Sequence, residues 1–287
     1  MKLSRLYRQA IQFGRKNDPR GRGNWDYQDS RILFGDPDTQ VRRVLVGIDI
    51  EVGEILLADK IRNETGLDLI IAHHPEGAAH AGFYEVVSLQ IDLLTKVGIS
   101  RDIARQLVEE RKWEVERRVL PANHMRSVDA ARLVEMPFMC LHTPADNQAS
   151  FFIDNLMKKG RPRKLSDVVD ILLSIPEYKN AKNDLAGPKI VLGEPKRTVG
   201  KVFVEMTGGT EGSKEVYDKL YKAGIRTLVC MHLSEEHFKK VKDNNLNVVI
   251  AGHISSDTLG LNLLLDQIER EEALEVIGCS GFRRVKR

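Results

Sequence analysis

The chain has 287 residues, enough for one large or two medium domains, and 42% of it is apolar, which supports a sizeable core. Its 22 Gly and 10 Pro are close to average usage, and no apolar run approaches the roughly 18 residues of a membrane span, so collagen-like, broadly disordered and membrane-spanning chains are excluded. Net charge is +3 but uneven: residues 1–24 hold seven Lys or Arg against Asp18 alone, while the rest holds 37 basic and 40 acidic residues.

The three Cys are an odd number and lie far apart. That argues against a disulfide framework or thiolate zinc site and for a reducing, cytoplasmic setting with the thiols as small buried hydrophobes. Met1 is not followed by an apolar stretch, and the basic start lacks the Ser-rich, acid-free character of a transit peptide.

In chain order, the spacing predicts a helix from Leu3 to Phe13 with a solvated basic face, stopped by Asn17-Asp18-Pro19. No aromatic–basic interleaving follows, so nucleic-acid binding is disfavoured. Apolar runs then fall at Val44–Ile50, Leu67–Ala72, Pro137–Leu141, Lys201–Met206, Thr227–Met231 and Asn247–Ala251. Stretches of period near 3.6 separate many of them, with apolar cores such as Ile55–Ile61 and Val216–Tyr221. This alternation predicts an α/β protein with largely parallel sheets. The charged stretch Arg101–Val134 reads as one or two surface helices inserted before the Pro137 run, and the basic, Gly- and Pro-broken Lys158–Lys164 run as a linker. Ser166-Asp167 caps a helix through Leu173. The expected organisation is an N-terminal half, 1–158, containing the 101–134 insert, and a C-terminal half, 159–287. No internal sequence repeat is read.

Four of the six apolar runs lead into histidine. His73-His74 follows Ala72, His142 follows Leu141, His232 follows Met231, and His253 follows Gly252; the Val44 run leads into Asp49. Ligands bind at the C-terminal edge of the strands in open α/β sheets. Helical steps from His253 give Asp257, Leu261, Leu264 and Ile268, and steps from Asp146 give Ala149, Ile153 and Met157. Both carboxylates therefore sit on faces that bury. An unpaired buried carboxylate costs several kcal/mol, far more than the roughly 0.3–1 kcal/mol a helix N-terminus returns. A cation would offset that cost. His73, His74, Asp146, His253 and Asp257 form a ligand set suited to zinc, iron or manganese, and five ligands with two carboxylates exceed one tetrahedral site, so two divalent ions are expected. His73 and His74 converge only if the chain has left the strand, as Pro75 suggests.

The motifs His73-His74-Pro75, His142-Thr143-Pro144-Ala145-Asp146 and Gly252-His253-Ile254-Ser255-Ser256-Asp257 resemble, in that order, those of the NIF-three-like proteins, many of them labelled GTP cyclohydrolase I type 2 homologues. The resemblance runs from about Val41 to the C-terminus. It implies two intertwined or tandem α/β/α units with mixed, largely parallel sheets, a dinuclear metal site between them, and ring-like hexamers. His73, His74 and His253 would be terminal ligands, with Asp146 and Asp257 bridging. The chain departs from the family's usual pattern in having Asp257 for Glu and His-Thr-Pro-Ala-Asp for His-Thr-Asn-Leu-Asp.

His142 and His232 are candidates for moving protons, and Gly208, Gly209 and Thr210, in the loop Thr207–Ser213, for cradling an anion, with an ordinary strand-to-helix turn as the alternative. Two functions follow: a metal-dependent hydrolase acting on a phosphate- or purine-like small molecule, or a non-catalytic metal-binding regulatory protein.

Overall fold

The apolar runs become strands with helices on both faces. The computed structural model describes residues 1–287. Its strands are β1 (Arg31–Phe34), β2 (Arg43–Gly47), β3 (Leu69–Ala72), β4 (Phe138–Cys140), β5 (Lys189–Leu192), β6 (Lys201–Glu205), β7 (Ile225–Cys230), β8 (Asn247–Ile250) and β9 (Glu275–Cys279). The chain forms two units, each discontinuous in sequence: Met1–Val86 with Trp113–Gln148 and Asp257–Arg287, and Val87–Lys112 with Ala149–Ser256.

In the first unit the sheet order is β1-β4-β3-β2-β9, all neighbours parallel except β1 and β4. Side chains alternate across a strand. Val44, Val46, Leu69, Ile71 and Met139 face one core, where Leu3, Leu6, Ala10 and Phe13 of the helix Leu3–Lys16 meet Leu261, Leu264, Leu265 and Ile268 of the helix His253–Glu269. Leu45, Ile70, Ala72, Phe138 and Cys140 face the other, against Ile55 and Ala58 of the helix Val52–Thr65 and Val128 and Ala131 of the helix Arg126–Leu133. The sheet is thus covered on both faces, as its uninterrupted apolar strands require.

In the second unit the order is β5-β8-β7-β6, again parallel except for the first pair. This repeats the first unit's β1-β4-β3-β2, including a register irregularity in each antiparallel pair. The repeat has a local sequence trace. Phe34-Gly35-Asp36-Pro37 through Val41 matches Leu192-Gly193-Glu194-Pro195 through Val199. The carbonyls of Pro37 and Thr39 accept from Ser4 and Leu3, and those of Pro195 and Arg197 from Ser166 and Leu165. Gly35 and Gly193 carry φ of 119° and 107°, which only glycine adopts readily.

The first helix runs three residues beyond Phe13, to Lys16, and the Arg101–Val134 stretch forms two helices, Arg101–Val119 and Arg126–Leu133. Lys158 and Lys159 belong to the helix Thr143–Gly160, and the whole basic run lies inside the second unit. The helix Leu165–Leu173 is capped by Asp167 alone, whose Oδ2 accepts from the amides of Arg163 and Lys164. Strands β1, β5 and β9 extend the sheets beyond the six predicted runs. All three cysteines are free, and Cys140 and Cys230 are buried. No helix is long and apolar enough to cross a membrane.

Candidate metal centre

Strands β2, β3 and β4 end at one edge of the first sheet, and the residues after them carry the titratable side chains. The chain leaves β3 at Ala72, and the amides of His73 and His74 donate to the carbonyls of Gly47 and Ile48. This fixes both imidazoles on the same side, with ring centroids 5.4 Å apart. His142 follows β4, its ring centroid 4.7 Å from that of His73.

Asp146 lies in the first turn of the helix Thr143–Gly160 and Asp257 one turn into the helix His253–Glu269, and the two helices pack closely. A Cβ on Gly260 would lie 2.4 Å from the carbonyl oxygen of Ala145, and one on Gly14 would lie 2.6 Å from Cα of Pro144. Two missing side chains therefore admit the Pro144-Ala145 turn that presents Asp146. Asp146 and Asp257 are only 5% and 1% exposed, and His73 is fully buried.

The donor atoms converge. His73 Nε2 stands 3.3 Å from Asp146 Oδ1 and 3.4 Å from Asp257 Oδ1. His74 Nε2 is 3.5 Å from Asp257 Oδ2, and His142 Nδ1 is 3.6 Å from Asp146 Oδ2. Although close, His73 Nε2 and Asp146 Oδ1 are buried without a hydrogen bond in acceptable geometry. Two overlapping groups, His73/His74/Asp257 and His73/His142/Asp146, each bring their donor atoms within 4.8 Å of one another and could hold a metal ion.

One nitrogen of each imidazole is held: for His73 and His74 it is the nitrogen far from the facing carboxylates, and for His142 it is the same Nδ1 that lies near Asp146. His73 Nδ1 lies 3.2 Å from the carbonyl of Leu141, which can only accept, so Nδ1 carries the proton. His74 Nδ1 lies 2.6 Å from Asp49 Oδ1, and His142 Nδ1 lies 2.8 Å from Asp29 Oδ2. Asp29 also accepts from the hydroxyl and amide of Thr143, and Ser30 Oγ accepts from the amide of His142. Metal-binding histidines characteristically donate their far N–H to a carboxylate or carbonyl in this way.

Burial alone would push His73 and His74 down. The facing carboxylates, Asp257 and Asp146 for His73 and Asp257 and Asp49 for His74, outweigh it and raise them to about 10 and about 9. A cation entering the cluster must displace those protons, because the charge that holds them is the charge a metal would use.

The structure brings together four of the five predicted ligands, His73, His74, Asp146 and Asp257, and adds His142 to their group. The fifth, His253, opens the helix that carries Asp257 one turn later. In the second unit its ring meets that of His232, with centroids 4.7 Å apart. His232 Nδ1 is 3.6 Å from Glu211 Oε1, and His237 Nε2 is 3.8 Å from Glu211 Oε2, while His237 Nδ1 pairs with the hydroxyl of Tyr217 at 2.6 Å. Burial would raise the Glu211 carboxyl, but His232, the amide of Ser234 and His237 hold it down to about 2. Gly208 and Thr210 present their carbonyls to Gln90 Nε2, at 2.9 and 2.7 Å. Their loop therefore carries an ionised carboxylate of its own. Asp29 and Ser30 carry no pattern in the sequence that marks them, and Asp49 carries only its place after a strand.

No protein-family profile and no curated protein matches the chain. Among solved structures, a NIF3 superfamily protein from Sphaerobacter thermophilus is 28% identical, with 98% of each chain covered and a TM-score of 0.84. Reduced HcgD from Methanocaldococcus jannaschii and TTHA1606 from Thermus thermophilus are each 16% identical over 97% of both chains, with TM-scores of 0.59 and 0.56, a likeness of fold. A two-unit α/β architecture, the ordered His-His-Pro, His-Thr-Pro-Ala-Asp and Gly-His-x-x-x-Asp motifs, and end-to-end similarity to the Sphaerobacter protein together support assignment of this chain to the NIF3, or NIF-three-like, superfamily.

Proposed function

We propose that the chain binds two divalent ions, zinc, iron or manganese, through His73, His74, Asp146, Asp257 and His253. On this reading it is a cytoplasmic, homo-oligomeric metal-dependent hydrolase of a phosphate- or purine-like small molecule. The observation that carries the metal reading is the pair of buried carboxylates facing imidazoles whose far nitrogens are already anchored. The donor groups overlap at His73, whose single free nitrogen serves one ion, so the second ion of this reading would rest on the remaining imidazoles and carboxylates.

The ions would supply Lewis-acid polarisation and a lowered water pKa. The chain's own residues supply the rest. Asp29 orients the His142 ring, leaving Nε2 to take a metal or a proton. Glu211, beside His232, would stabilise a protonated imidazole there, whereas the Gly208-Gly209-Thr210 loop, with two carbonyls turned to Gln90 and ionised Glu211 beside them, does not suit an anionic substrate end. One observation favours the non-catalytic alternative. His73 and Asp257 are almost wholly buried, and a shell closed by protein ligands suits a structural or sensory metal.

The test is a panel of phosphoesters and cyclic amides assayed on protein purified without chelator, with manganese, zinc or iron added. Metal-dependent turnover that disappears in His73→Ala supports the hydrolase. Stoichiometric metal with no turnover across the panel favours the regulatory protein.

A further inference from the structure

The basic start of the chain plays no part in the metal cluster, yet it is organised. Along the helix Leu3–Lys16, the residues Arg8, Ile11, Gln12 and Arg15 recur at steps of one, three and four and line one wall of a cavity of about 950 Å³, within the size range of small-molecule sites. The segment Arg22–Arg31 supplies the facing wall. Five cations, Arg8, Arg15, Lys16, Arg22 and Arg31, line this space against a single acid, Asp26.

Most of that charge is uncompensated. Arg15 is committed to the fold: its Nε donates to the carbonyl of Trp25, and its NH2 group lies 3.1 Å from Asp26 Oδ1. Arg31 reaches Gln28 Oε1, and Lys16 lies over the Phe13 ring. The guanidinium groups of Arg8 and Arg22 are exposed and make neither an ion pair nor a hydrogen bond.

The wall itself is fixed. Buried Asp18 receives Arg20 through two guanidinium nitrogens at 2.9 and 2.8 Å and the hydroxyl of Tyr27 at 2.7 Å. The Arg20 guanidinium lies 4.5 Å over the Trp25 ring, whose Nε1 donates to the carbonyl of Gly21. Cations held around a concave space without counter-charges repel one another and raise the local potential for an anion. Guanidinium groups suit phosphate because their paired N–H groups match its oxygens.

We propose that this cavity binds a small molecule carrying two or more linked phosphates, of the nucleoside di- or triphosphate class. The site is independent of the metal cluster, since none of the cluster's donors lines it. Its wall does run straight into Asp29 and Ser30, which fix His142. The cations ring one open cleft, which suits a compact ligand better than a nucleic-acid strand, since a strand needs an extended basic track with stacking aromatics.

The test uses inorganic tripolyphosphate titrated calorimetrically into the full chain after metal removal. We expect saturable binding with one site per chain at low salt, weakened by high salt. The double variant Arg8→Ala/Arg22→Ala should bind at least about tenfold more weakly, as the loss of charge-assisted contacts dictates. The control Lys158→Ala/Lys159→Ala, in the second basic run, should bind as wild type does. Circular dichroism verifies that the variants fold, and both arginines are exposed. Three results overturn the proposal: no saturable binding, equal binding by the Arg8/Arg22 variant, or binding that appears only when metal is restored. Tighter binding of a single-stranded oligonucleotide than of tripolyphosphate or a nucleoside triphosphate overturns the small-molecule assignment.

Discussion

Asp29 gives the sharpest test of how the candidate centre is held. It is fully buried, and its Oδ2 receives His142 Nδ1 at 2.8 Å, Thr143 Oγ1 at 2.6 Å and the Thr143 amide at 3.3 Å. Asp29→Ala strips the partner from three buried donors at once. Each unmet donor costs about 1–3 kcal/mol, the long amide contact least, so the total should be about 3–5 kcal/mol, the range for breaking a buried charged network. Asp29→Asn keeps the shape and one acceptor oxygen, so its loss should stay at about 1–3 kcal/mol. It also removes the charge that holds the His142 proton on Nδ1, and metal affinity should fall about 10–100-fold. Urea unfolding followed by circular dichroism with chelator present reads the first effect, and metal titration against a competing chelator reads the second. The reasoning fails if Asp29→Ala lies within about 1 kcal/mol of wild type, since buried donors cannot lose a shared acceptor so cheaply. It fails equally if Asp29→Asn binds metal as wild type does.

Gly260→Ala should cost about 1–3 kcal/mol, because its Cβ would meet backbone atoms of Ala145 rather than a movable side chain, and metal occupancy should drop with the displacement of neighbouring Asp146. An unchanged melting temperature would show that the two helices can separate freely. Glu211 is held at about 2 against an ordinary 4.5, so its stabilising effect is complete above the ordinary value and is lost as pH falls through about 2. The gap in urea midpoint between wild type and Glu211→Gln should therefore be full at neutral pH and close in strong acid; a gap that widens in acid contradicts the assignment. A metal ion at about 100 times its Kd should stabilise the protein by about 2.7 kcal/mol, raising Tm by roughly 4–5 °C. Identical melting curves with and without chelator would argue against a bound ion.

Much of this architecture is legible along the chain because the sheets are parallel and buried. Their strands read as apolar runs, and each run's last residues show what the strand edge presents. Asp146 and Asp257 are visible for a related reason: a carboxylate at the head of an apolar helical stripe is conspicuous. Other features leave little mark. The four-residue edge strands β1 and β5 each begin with a basic residue and are only half-buried, and β9 is interrupted by Gly278, so none stands out as an apolar run. Asp29 acts through tertiary contact more than 110 positions away, and no spacing encodes that. Gly14 and Gly260 matter for atoms they lack. The internal repeat is different: the Gly35-Asp36-Pro37 and Gly193-Glu194-Pro195 turns are present in the sequence, but a match so short gains meaning only once β1-β4-β3-β2 and β5-β8-β7-β6 are seen to share one order.

The most direct measurement is metal content per chain by elemental analysis, on wild type, His73→Ala and Asp146→Asn purified identically without chelator. Stoichiometric divalent metal in the wild type, lost in both folded variants, is the predicted result. A folded wild type that carries no divalent ion, even after incubation with zinc, iron and manganese in turn, would contradict the account.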